Sequence, residues 1–225
     1  MVLKFTDPRV LLAVVMASAL STVTAAQSYK VESTATPAPQ GLAAGIRDTL
    51  SASALHVTGP NGALCEIWLR KSVPQAATPN TSLGVAFGQI NEGTLVGAIQ
   101  LDARATDYRN QSIQPGVYTL RYMLLPVDGN HQGVSPNRDY LLLVPAALDA
   151  SPADVITKDL LALSRKAAGT GHPSVWSLVP ADTAPSSLPA VVHQDDGDLW
   201  IVFFQAPLGT STTMGLVVAG HAAEP

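Results

Sequence analysis

Asp128 and His131 stand three residues apart in the polar run Pro126–Arg138, between two strongly apolar segments. A carboxylate and an imidazole at that spacing can face one ligand. With His172 or His193 from elsewhere in the chain, they could hold a metal that activates water. The same residues also fit a plain hairpin connection, with Asp128-Gly129 as turn residues and the Asp128 carboxylate on backbone amides. One imidazole and one carboxylate fall short of the three or four ligands a zinc site needs. No metal site and no cofactor are therefore assigned, and a metal-assisted hydrolase built on the Asp128/His131 loop stays the alternative reading.

Arginines form the second group. Arg109 and Arg104 precede a strand that carries Arg121 on one face, and Arg138 closes the polar run next to Asp139. Guanidinium forks suit carboxylates and phosphates, so these residues could line an anion pocket. A structural reading pairs Arg121 with Asp139 or Asp102 across a sheet. The ligand-binding candidates are Arg109, Arg121, Asp128, His131, Arg138 and His172.

Other chemistry is absent. His56, His131, His172, His193 and His221 are scattered without H-x-x-x-H or H-x-H spacing. Asp195-Asp196-Gly197-Asp198 lacks the alternating ligands and distal glutamate of an EF-hand loop. The chain holds no G-x-S-x-G elbow, P-loop or G-x-G-x-x-G run. Cys65, the only cysteine, falls mid-strand on an apolar face, where a thiol is inert and no internal disulfide can form. Trp68, Trp176 and Trp200 could stack on sugars, but their places within strands favour core positions.

The elements that would position these groups are mostly strands. Runs at 52–58, 63–70, 94–102, 117–125, 140–144, 174–179, 190–193, 199–205 and 213–220 are short and apolar, several of them alternating with period two. In the fourth, Tyr118, Leu120, Tyr122 and Leu124 share one face, and Val117, Thr119, Arg121 and Met123 share the other. Gly59-Pro60-Asn61-Gly62 and Gln194-Asp195-Asp196-Gly197 are turn signals. One helix is expected over 152–168. Ser151 would cap it, Ile156, Leu160, Leu163 and Ala167 would form its apolar face, and Gly169 would end it. About seven to nine short strands and one packed helix indicate a mainly β protein, an antiparallel β-sandwich.

Ile113-Gln114-Pro115-Gly116-Val117-Tyr118-Thr119-Leu120 resembles the L-x-P-G-x-Y-x-L strand of carboxypeptidase-regulatory-like and transthyretin-like sandwiches and of an exported bacterial domain family of unknown function. Asp107-Tyr108-Arg109, Tyr118–Tyr122 and Asp128-Gly129-Asn130-His131 are similar to exported bacterial proteins of the same kind. The resemblance implies a sandwich and carries no activity.

Composition bounds the rest. Of 225 residues, 47% are apolar and only 13% charged, with a net charge of −4. A weakly acidic chain without a Lys/Arg cluster is not built to hold nucleic acid. Lys4 and Arg9, the apolar run Val10–Leu20 and the small residues ending at Ala26 have the layout of a cleaved signal peptide over 1–26. That run is shorter than the about 20 residues a bilayer span takes, and no second one follows. Residues 27–45, rich in Ala, Ser, Thr and Pro, read as a flexible leader, and 46–225 as a single domain. The expectation is a secreted or periplasmic, non-catalytic protein that binds a small ligand or an envelope protein.

Overall fold

The computed structural model describes residues 28–128, 135, 137–209 and 211–221. Among the described residues there are twelve strands: β1 (Lys30–Thr34), β2 (Ala54–Gly59), β3 (Gly62–Leu69), β4 (Leu95–Leu101), β5 (Ala105–Thr106), β6 (Ser112–Ile113), β7 (Gly116–Leu124), β8 (Asp139–Pro145), β9 (Trp176–Val179), β10 (Ala190–Gln194), β11 (Leu199–Ala206) and β12 (Thr212–Ala219). Two helices accompany them, a short α1 (Ala44–Arg47) and α2 (Thr157–Ala168). Neither is long and apolar enough to cross a membrane.

The mainly β, antiparallel character stands, but the two-layer sandwich does not. Ten strands form a single sheet in the order β1-β2-β3-β4-β7-β8-β9-β12-β11-β10. It curls until β1 and β10 lie side by side without a hydrogen-bonded ladder between them. The curl has local causes. Register shifts at Val57/Thr58, Leu95/Gly97 and Trp200/Ile201 bend individual strands, as bulges do. The four-residue β9 splits its pairing, with Trp176 and Ser177 on β8 and Leu178 and Val179 on β12. It thereby joins two blocks that a sandwich would have stacked.

Period-two alternation puts one face of each strand inside this curl. Tyr118, Leu120, Tyr122 and Leu124 of β7 pack there with Cys65, Ile67, Leu143, Trp176, Phe204 and Leu216. Burial pushes the Cys65 thiol far above its ordinary range, so it stays protonated and unreactive. The outer face is also covered, in three places. The segment with Ala38, Leu42, Ile46 and Leu50 lies over Trp68 and Leu95. Leu160 of α2 packs over Met123, Tyr140 and Leu142. Tyr108, Ala184 and Leu188 pack on Ile201, Phe203 and Val217.

Two boundaries need correction. The stretch 27–45 is not a loose leader where it is described. β1 pairs residue by residue with β2, and the Trp68 Nε1–H donates to the Thr36 carbonyl at 2.8 Å. The helix expected over 152–168 begins only at Thr157, with Ile156 at its cap and 69% exposed. Residues 151–155 cannot be helical because their carbonyls serve another group: Ser151 and Ala153 accept hydrogen bonds from Arg121. The C-terminal stop is as anticipated. Gly169 adopts φ 65° and its N–H bonds the Arg165 carbonyl.

Candidate functional site

Three buried aspartates lay the loops of one end of the curled sheet onto its strands. Asp139, at the start of β8, accepts the Ala86 and Phe87 N–H groups at 2.8 and 2.9 Å and the Tyr122 hydroxyl at 2.5 Å. This holds the long connection between β3 and β4 against the core. Asp139→Ala leaves the buried Phe87 N–H and Tyr122 hydroxyl, and the part-buried Ala86 N–H, without this acceptor. It should cost about 1–3 kcal/mol in urea unfolding and speed hydrogen exchange at Ala86 and Phe87 above the global rate.

Asp107 shapes the turn that carries Arg109. Its carboxylate accepts N–H groups from Arg109, Gln111 and Val175 and the side-chain amide of Gln111. Burial raises this carboxyl above its ordinary value, against the pull of those donors. A raised folded value means the ionised form opposes folding, so this group's contribution to stability fades as pH rises through it.

Arg121 is not part of an anion pocket. It is fully buried, and all five of its N–H donors are used. Nε and Nη2 clamp Asp149 at 2.7 and 2.8 Å, while Nη1 and Nη2 also donate to the carbonyls of Gly93, Ala153 and Ser151. Its partner is therefore Asp149, not Asp139 or Asp102. Thr119 donates to the same carboxylate. This cluster knots the outer face of β7 to the segment leading into α2.

In front of this knot lies a half-open cleft of about 970 Å³. Its floor is the outer face of the β7–β8 hairpin, with Met123, Leu125 and Tyr140. The α2 helix forms one wall with Thr157, Leu161 and Arg165, spaced i, i+4 and i+8 so that they share a face. The β3–β4 connection forms another with Ala76, Thr78 and Asn80.

The structure brings three of the sequence candidates to this cleft: Arg109, Arg138 and His172. Arg138 is partly committed, since Nε donates to the Leu125 carbonyl and Nη1 to that of Leu83. The Arg109 guanidinium and exposed Arg165 make no side-chain hydrogen bond or ion pair with another described residue. Arg109 and His172 sit at the C-terminal end of α2. Tyr108 N–H bonds the Val175 carbonyl, and Ser174 bonds Ser164 on the helix. Asp128 is exposed, outside the residues lining the cleft, and His131 lies outside the described residues. Among the described residues, no three His, Cys, Asp or Glu side chains group as metal ligands.

Sequence reasoning passed over Arg165 as a candidate, since it stands in the last turn of α2, where a basic side chain also suits the helix dipole. The signal was available in its i+4 spacing from Leu161. It also passed over Glu92 and Asp154, which line the opposite end of the cleft near the start of α2. His193 is elsewhere, stacked on Trp200 with ring centroids 4.3 Å apart and Nε2 2.7 Å from Asp198. Tyr29 contacts the same indole, so no open sugar platform is left there. No family model, no curated protein and no solved structure matches the chain.

Proposed function

We propose that the protein is a non-catalytic binding module that holds a small anionic ligand in the cleft between α2 and the β7–β8 hairpin. The observation that carries this reading is the convergence of Arg109, Arg165 and His172 on one end of an apolar-floored cleft, with two guanidinium groups that no described side chain neutralises. Guanidinium donors left over an apolar floor favour a carboxylate or phosphate, because charge-assisted bonds strengthen where water is partly excluded. The cleft volume falls within the range of about 300–1,000 Å³ usual for small-molecule sites. The setting we propose is extracytoplasmic, in the bacterial envelope or medium after removal of residues 1–26. The basic start, the short apolar run and the small residues of that stretch support it.

Isothermal titration with hexanoate and with hexyl phosphate tests the binding reading. Saturable binding is expected that weakens with salt and drops at least about tenfold in Arg109→Gln/Arg165→Gln. The far-ultraviolet spectrum should stay unchanged, since neither side chain supports the core. Absence of saturable binding of either anion would refute the proposal.

A further inference from the structure

The two ends of the cleft carry opposite charge. Arg109, Arg165 and His172 gather where α2 ends, while Arg138 stands apart from them, its guanidinium held by the Leu125 and Leu83 carbonyls. Glu92 and Asp154 gather where it begins, held there by the Val155 N–H to Gly93 carbonyl bond and by the Thr94 hydroxyl on Asp154 Oδ1 at 3.0 Å. Glu92 and Asp154 are exposed, and each uses one oxygen on a single donor, Glu92 accepting the Leu124 N–H at 3.3 Å. Arg70, whose guanidinium donates to the Pro152 carbonyl at 3.4 Å, lies near enough to attract the Asp154 carboxylate. Between the ends the floor is apolar, while Thr78 and Asn80 place hydrogen-bonding groups along the wall formed by the β3–β4 connection.

A purely apolar tail with one anionic head satisfies only half of this surface. Its methyl end would lie against two carboxylates and strip water from them without return. A ligand with an anion at one end, a cation at the other and amides between them satisfies all of it. Length agrees. The eight steps from Thr157 to Arg165 span about 12 Å of helix, which an extended peptide covers in about four residues.

We propose that the occupant is a short peptide of about four or five residues with a free carboxy terminus, its carboxylate at Arg109 and Arg165 and its amino-terminal cation at Glu92 and Asp154. This rests on the anion-binding reading of the same cleft. The apolar floor selects leucine-like side chains in the middle of the peptide, and the charged ends set its direction.

The test is calorimetric titration with a pentapeptide of lysine, alanine, leucine, alanine and leucine, as the free acid and as the carboxy-terminal amide. The acid should bind at least about tenfold more tightly than the amide, and the difference should vanish in Arg109→Gln/Arg165→Gln. Glu92→Gln/Asp154→Asn should weaken the lysine peptide about threefold or more, yet leave an acetylated peptide with norleucine in place of lysine unchanged. Equal affinity of acid and amide overturns the proposal, as does a series from dipeptide to hexapeptide without an optimum. Binding of hexanoate without binding of the pentapeptide overturns the peptide and leaves the anion site standing. Binding of neither removes both.

Discussion

Asp149→Ala should lower the free energy of unfolding by about 3–5 kcal/mol, because it removes one partner of a buried ion pair. The reason is what remains. Arg121 is fully enclosed and cannot recruit bulk water when its carboxylate partner is removed. Two of its five donors lose their acceptor, and the Thr119 hydroxyl is left with the Val144 carbonyl at 3.5 Å. The charge then stays buried with only carbonyl dipoles around it, which is costly where the dielectric is low.

The matching double variant, Arg121→Met/Asp149→Leu, should lose less than the sum of the two single changes, because it removes both charges together. It should not return to the parent value. The carbonyls of Ser151 and Ala153 would still lack the Arg121 donors they have now, and that of Gly93 would keep only the Val155 N–H. Urea unfolding of the parent, Arg121→Met, Asp149→Leu and the double variant checks this, and an Asp149→Ala cost under about 1 kcal/mol would mean the pair is solvated and not structural. The segment 151–155 should also loosen, which would show as faster amide exchange at Val155, whose N–H bonds Gly93.

Trp68→Ala should cost about 3–5 kcal/mol. The ring is 1% exposed, although it lies on the outer face of β3, because the segment 36–50 covers it. Its removal leaves a cavity under Ala38, Leu42, Ile46 and Leu50 and breaks the only bond that ties the Thr36 carbonyl to an indole. Trp68→Phe keeps most of the packing and loses the hydrogen bond, so about 1 kcal/mol is expected there. Limited proteolysis separates the two effects. In Trp68→Ala, cleavage between β1 and α1 should run ahead of global unfolding, and in Trp68→Phe it should not. Equal resistance in all three proteins would mean that the covering segment is held by β1 alone.

The strands were legible because burial of one face leaves a period-two trace in composition. Tyr118, Leu120, Tyr122 and Leu124 point inward as their alternation requires, and so do Cys65 and Ile67. β1, β5 and β6 left no such trace. β1 buries little, and β5 and β6 are two-residue pairings in a loop. Helix α2 was legible from its apolar repeat and its terminal glycine, but its start was not. Ser151 and Pro152 carry a local preference for a helix start, which the distant Arg121 overrides by drawing their neighbouring carbonyls to itself. A guanidinium on a strand face announces that a partner exists, without saying which of several aspartates it is.

The candidate site divides the same way. Arg109, Arg138 and His172 were selected from sequence as residue types suited to anions, and the structure places all three on one cleft with Arg165. Arg121 was selected on the same chemistry and belongs to the interior. The difference is not in the residue or its neighbours in sequence, but in how many acceptors the folded chain brings to it.

By itself, the order of residues determined nine of the twelve strands and the end of α2, which faces of those strands are apolar, and that the one thiol is buried. These are properties of short windows, and local sterics with one-sided burial are enough to write them. Only the tertiary structure decided that the sheet curls on itself instead of splitting into two layers, that Asp149 neutralises Arg121, and that opposite charges face each other along the cleft. An alternating strand is equally content in a sandwich or a barrel, and charges tens of residues apart meet only when bulges, a split β9 and loop closure set the distances between them.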